Sequence, residues 1–145
     1  MSASTVSTAA LGAGSVIAGR YRLLDPLGRG GMGTVWRADH LVLGSTVAVK
    51  LLQAAAGDER AERRFSTEAM AAARLRSPHV VQVLDHGIEL AGTPPAEIQR
   101  VPYIVMELLD GESLGTRLAA RGALGLAETE RIVTQIARAL GRAHA

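Results

Sequence analysis

The sequence predicts an α+β fold: a five-stranded, mostly antiparallel sheet, one helix inserted after the third strand, and two helices after the fifth. Three observations carry this. Two short apolar runs flank a glycine cluster at residues 28–33, which reads as a hairpin. A β-branched run, Thr46 to Leu52, follows after a short loop. Residues 58–75 then change to helical spacing, with Phe65, Ala69, Ala72 and Leu75 on one stripe.

Residues 1–19 read as a flexible tail of Ser, Thr, Ala and Gly with scattered Val. They have neither the positive start nor the apolar centre of a secretory signal. Tyr21 to Leu27 is the first strand and Thr34 to Ala38 the second, joined through Gly28-Arg29-Gly30-Gly31-Met32-Gly33. His40 to Ser45 is a loop, and Thr46 to Leu52 is the third strand. After a linker, Gln53 to Gly57, Asp58 is placed to cap a helix running to about Leu75, with acidic residues in its first turn. Ser77-Pro78 ends that helix. Val80 to Leu84 and Tyr103 to Glu107 are the fourth and fifth strands, separated by a Gly-Pro-Pro loop within Ala91 to Ile98. Asp110-Gly111 breaks the chain before a short helix, Ser113 to Ala120. Gly125 opens the last helix, with Glu128 at the capping-box position and a stripe of Ile132, Val133, Ile136, Ala137 and Leu140.

A length of 145 residues suits a single domain. Hydrophobic residues make up 48% of the chain and aromatics 3%, so the core must be built from Val, Leu, Ile and Ala. The chain has no cysteine, which removes disulfides and thiolate metal sites and fits a reducing cytoplasm. A net charge of +2 is too small to argue for nucleic acid. The cluster Arg60, Arg63, Arg64, Arg74 and Arg76 reads as a solvated helix face. No apolar run is long enough to span a bilayer, so a cytoplasmic place is expected for this portion; an anchor beyond residue 145 would be invisible.

Chemistry is sought first at Lys50, the one lysine in a chain with fifteen arginines. A compact ammonium on a flexible stem suits a single phosphate oxygen better than a planar guanidinium does. Gly28-x-Gly30-x-x-Gly33 lets backbone N–H groups approach a phosphate closely. The continuation Thr34-Val35-Trp36 is a poor helix start and excludes a dinucleotide-binding turn. Strand alternation puts Ala48 and Lys50 on one face and Val47, Val49 and Leu51 on the other. Small Ala48 leaves room for a flat ring, and the Lys50 ammonium lies about 7 Å further along the strand. That suits a nucleotide with its base over Ala48 and its phosphates near Lys50, with Val35 pressing on the same ring. Glu68 falls on the helical stripe three residues after Phe65; a carboxylate facing a core wants a cation, and Lys50 is the candidate.

Gly28-Arg29-Gly30-Gly31-Met32-Gly33-Thr34-Val35, Val47-Ala48-Val49-Lys50 and Glu68 together resemble the protein-kinase signature, in the Gly-Gly-Met-Gly form of bacterial serine/threonine kinases of the eukaryotic type. Ser77-Pro78-His79-Val80-Val81 resembles the segment after the family's αC helix. Tyr103-Ile104-Val105-Met106-Glu107 resembles the strand into its hinge, and Asp110-Gly111-Glu112-Ser113-Leu114 the start of αD. The resemblance implies a kinase N-lobe over residues 20–107, then the hinge, αD and part of αE of an incomplete C-lobe over 108–145. It implies that Gly28, Gly30 and Gly33 cover the phosphates of ATP and that Lys50 holds the α- and β-phosphates. Glu68 would pair with Lys50 when αC is swung in, with Met106 as gatekeeper. The Glu107 and Leu109 backbones would bond the adenine edge, and Leu27, Val35 and Ala48 would line its faces.

The same resemblance implies a protein substrate and Mg2+ in a complete domain. The metal ligands and the catalytic base are not found here: the chain has no asparagine, and its last aspartate is Asp110. His79, His86 and His144 have no metal-ligand spacing. The isolated chain is therefore expected to bind ATP weakly and to transfer no phosphoryl group. The stripe on its last helix would have little to bury against. The alternative is a natural non-catalytic module that binds nucleotide or another kinase's lobe. A plain β scaffold carrying relic motifs is disfavoured by the presence of Lys50, Glu68 and all three glycines.

Overall fold

The structure is a computed structural model that describes residues 11–30, 33–52, 58–92, 94–95 and 97–145. In chain order the elements are β1 (Val16–Ile17), β2 (Tyr21–Gly30), β3 (Gly33–His40), β4 (Thr46–Leu51), α1 (Glu59–Arg74), β5 (Val83–Ala91), β6 (Gln99–Glu107), α2 (Leu114–Arg121) and α3 (Leu126–Ala143). The strands form one antiparallel sheet in the order β1-β2-β3-β4-β6-β5. The α+β class, the antiparallel sheet and the helices after the third expected strand and after the last strand match the sequence reading.

Two boundaries differ from it. The sheet has a sixth strand, β1, inside the stretch assigned to the tail: Val16 and Ile17 pair with Arg22 and Tyr21, and Ile17 is fully buried. Two paired residues in a stretch of small and scattered apolar side chains have no periodicity to reveal them. The remainder of that tail, residues 1–10, lies outside the described residues, as do Gly31, Met32, the 53–57 linker and two positions of the 91–98 loop. The fourth strand, expected at Val80 to Leu84, forms at Val83–Ala91 instead. Residues 77–80 are taken by a turn, with the Val80 N–H donating to Ser77 O and the His79 N–H to the Ser77 hydroxyl. Polar Asp85 and Glu89 enter the strand because each finds a partner across the sheet.

Those partners reveal the sheet's shape. β1 and β5 stand at opposite ends of the strand order, yet the Ala18 N–H donates to Glu89 Oε2 at 2.8 Å. The Tyr21 hydroxyl donates to Asp85 Oδ2 at 2.7 Å, and Arg20 reaches the same carboxylate at 3.3 Å. The sheet thus curls until its edges meet through side chains. The main core lies on the inner face: Ile17, Leu23, Ala38, Val49, Leu51 and Val105, with Trp36 and Tyr103 among them. Gly87 makes room for one of these, since a Cβ there would come within 2.7 Å of the Tyr103 hydroxyl.

The seam has a pH signature. Burial, and then the bond to Asp85, push the Tyr21 hydroxyl from 10.0 up to about 12. The folded value lies above the unfolded one, so the stabilisation is full below pH 10 and fades as pH rises toward 12. Urea midpoints of the native chain and Tyr21→Phe should therefore converge over that window, the native chain's advantage falling by about 2 kcal/mol. An advantage that is constant with pH would contradict the seam.

α1 starts where expected. Asp58 Oδ1 accepts the Arg60 and Ala61 N–H groups at 3.0 and 3.2 Å, satisfying two of the free donors of the first turn. The helix packs on β5 and β6 through Glu62, Phe65 and Ala69. α2 is capped by the Ser113 hydroxyl, which accepts the Thr116 N–H at 3.0 Å. Glu128 does not close a capping box: N-cap Gly125 has no side chain to bond, and Glu128 joins α3 to α2 through Arg117 at 2.8 Å. The stripe on α3 is left open, with Val133 57%, Ile136 50% and Leu140 52% exposed.

Candidate functional site

Curling the sheet gives β4 two unlike sides. Val47, Val49 and Leu51 point into the core, as their alternation requires, and Ala48 and Lys50 belong to the outer face. The ladders extend that face sideways. Lys50 stands opposite Val35 on β3 and Ile104 on β6, and Val35 in turn stands opposite Gly28 on β2. One register step away, Ala48 stands opposite Met106. Gly28, Val35, Lys50, Ala48 and Met106 are thereby brought onto one surface from four strands. Residues directly opposite in a ladder lie on the same face, with Cβ atoms about 5 Å apart.

Leu27 falls in the irregularity between Pro26 and Gly28, which turns the half-exposed side chain out of the regular ladder. Gly30 pairs with Gly33 at the hairpin's end. The three glycines are not equivalent. A Cβ on Gly28 or Gly30 would meet nothing within 4 Å, so their backbone stands open for a ligand to approach. Gly33 has φ +154°, and a Cβ there would lie 1.9 Å from the Leu51 carbonyl oxygen. Its role is to let β3 lie close against the end of β4.

After β6 the backbone leaves the sheet under tight control. The Glu107 N–H donates to Gln82 O at 3.0 Å, and the Glu107 carboxylate accepts the Gln82 N–H at 2.7 Å. Gln82 is a fixing residue that the sequence reading missed. Two residues on, the exposed Leu109 has no hydrogen-bond partner for its N–H among the described residues. A cavity of about 350 Å³ also borders Glu107 and Leu109, but its walls are Pro78, Val80 and Ile136, away from the glycines and Lys50.

One expected contact is not made. Glu68 is exposed and forms no ion pair with Lys50. The carboxylate that α1 turns toward the sheet is Glu62, 7% exposed, and its cation is Arg100 on β6 at 3.1 Å. The bond to Glu62 is the chief reason that the Arg100 guanidinium is held above its ordinary value. Among the described residues no cluster of His, Asp or Glu is arranged to hold a metal ion. The described helices include none long and apolar enough to cross a membrane.

What the surface offers is a strip of accessible backbone, a small-residue floor and one ammonium. The protein kinase domain family matches residues 21–145. The chain is 39% identical over 127 residues to the probable serine/threonine-protein kinase PknB of Bifidobacterium longum, covering 87% of this chain and 18% of that protein. It is 41% identical over 128 residues to the serine/threonine-protein kinase PknH of Mycobacterium bovis, covering 88% of this chain and 20% of that protein. The chain thus spans about a fifth of the length of these curated relatives. The crystal structure of the Mycobacterium tuberculosis PknI kinase domain superposes with a TM-score of 0.75 and 35% identity, over 93% of this chain and 52% of that one.

Proposed function

Because the chain belongs to the protein kinase family, among the bacterial serine/threonine kinases of the eukaryotic type, we propose that it supplies the ATP-gripping part of such an enzyme's active site. The observation that carries this reading is the shared surface of Gly28, Val35, Ala48, Lys50 and Met106. Adenine would lie over Ala48 between Leu27 and Val35, with Met106 behind it. Its edge would bond the Glu107 carbonyl and the Leu109 N–H. The Glu107 N–H is already committed to Gln82, which leaves the carbonyl as the group it can offer. Lys50, about 7 Å along the strand from Ala48, would hold the α- and β-phosphates. Gly28 and Gly30 would close over them, with Gly33 holding the hairpin against β4, and Glu68 would steady Lys50 once α1 turns toward it.

In the complete enzyme ATP supplies the phosphoryl group and a protein serine or threonine hydroxyl receives it. In this reading the chain's residues would bind and orient; among the described residues no cluster of His, Asp or Glu is placed to hold Mg2+. A purified preparation, incubated with ATP, Mg2+ and a generic protein substrate, should show ATP binding in about the millimolar range and no phosphotransfer. Lys50-dependent transfer by this chain alone would refute the division of labour. The half-exposed stripe of α3 favours a second reading, a regulatory module that docks on another kinase's lobe. Co-sedimentation with an intact kinase domain, lost in Ile136→Asp, would support it.

A further inference from the structure

Glu62 is the one charged side chain buried among the described residues, and its environment is costly to leave unpaired. Arg100 meets it with three hydrogen bonds, Nε to Oε1 at 3.1 Å, Nε to Oε2 at 3.2 Å and Nη2 to Oε2 at 3.1 Å. This fork fixes both the distance and the rotation of α1 over β6. Glu62 and Glu68 are six residues apart, so they lie about 9 Å apart along α1 and point about 120° apart around it. On the sheet, Arg100 precedes Ile104, the ladder partner of Lys50, by four residues, about 13 Å of strand. With Glu62 seated on Arg100, Glu68 faces solvent, and neither it nor Lys50 has an ionic partner among the described residues.

We infer that Arg100 is a positioning residue: by seating Glu62 it holds α1 in the rotation that keeps Glu68 from Lys50, and its release lets that pair form. The two cations compete for one helix. Turning α1 enough to aim Glu68 at Lys50 carries Glu62 off Arg100, so the two ion pairs exclude each other. Arg100 sits at the solvent edge, its side chain 54% exposed, while Glu62 is 10% exposed. The pair can therefore be opened from the Arg100 side, by anything that draws the guanidinium outward. The inference rests on reading Lys50 and Glu68 as a working pair, but not on nucleotide binding itself.

A single lysine makes the test direct, because [ε-13C]lysine labelling gives one side-chain resonance, that of Lys50. In the native chain, Glu68→Gln should leave this resonance where it is. In Arg100→Ala it should move by more than its linewidth, and adding Glu68→Gln to Arg100→Ala should return it. Glu62→Gln, which keeps the shape of the side chain, should reproduce the Arg100→Ala shift and serves if Arg100→Ala loses its folded circular dichroism. A resonance unmoved in Glu62→Gln, or moved equally with Glu68→Gln added, would overturn the latch. So would a native resonance already sensitive to Glu68→Gln. ATP added to the same samples reads the other question: failure to perturb Lys50 in any of them would sink the nucleotide site and leave the latch standing.

Discussion

Lys50→Met should leave the chain folded and cut its affinity for ATP by about tenfold to a hundredfold, the worth of one charge-assisted hydrogen bond to phosphate. Fold and function separate at this position because Lys50 lies on the outer face of β4, half-buried and without an ionic partner among the described residues, while its neighbours Val49 and Leu51 carry the packing. Methionine keeps the apolar stem and removes only the ammonium. The urea midpoint should therefore shift little, within about 0.5 kcal/mol. Displacement of a fluorescent ATP analogue measures the affinity. Lys50→Arg is the sharper comparison: it keeps the charge but replaces a point donor with a planar fork on a longer reach, and it should recover only part of the binding. Unchanged affinity in Lys50→Met would remove Lys50 from the phosphate site.

Gly33→Ala should have the opposite profile and destabilise the fold by about 2–4 kcal/mol. The cause is steric and local. The added methyl would lie 1.9 Å from the Leu51 carbonyl oxygen, a backbone atom in the ladder that cannot swing aside, and φ is +154°, where an L side chain is strained. Gly28→Ala and Gly30→Ala meet open space and should cost less than about 1 kcal/mol. Their damage should fall on nucleotide binding instead, because a methyl there holds the phosphates off the backbone. Urea unfolding and nucleotide displacement on the three variants divide one motif into a glycine that builds the sheet and two that serve the ligand. Equal stability losses at all three would contradict that division.

Local pattern explains most of what could be read in advance. The hairpin around the glycines, the two faces of β4 and the Asp58 start of α1 follow from spacing and cap chemistry, which involve only neighbours in sequence. The same route led to the outer-face surface of Gly28, Val35, Ala48 and Lys50, whose members the ladders align. What failed depended on distant partners. Ile17 lies in a stretch with no strand or helix periodicity and matters only because a sheet closes over it. Val80 and Val81 suggest a strand, but the turn at Ser77 uses that stretch, and the strand runs instead through Asp85 and Glu89. The choice between Glu62 and Glu68 was open in principle. They precede and follow Phe65 by three residues, so each lies about 60° to one side of it. Only the position of Arg100 decides which flank meets the sheet, and a helical pattern contains no such information.

The seam that brings Ala18 to Glu89 and Tyr21 to Asp85 also sets an order of events during synthesis. These contacts span 71 and 64 residues, while β2, β3 and β4 meet through near neighbours. As the chain emerges from a ribosome, the β2–β3–β4 meander can assemble early, with local pairings that cost little chain entropy. Ile17, Tyr21 and Leu23 emerge before that meander is complete but must wait with their apolar surface partly uncovered until β5 and β6 arrive. The stretch around Ile17 is thus covered only after the last strand, and the interval before residue 107 leaves the ribosome is when this sheet is most open to chaperones and to misassociation.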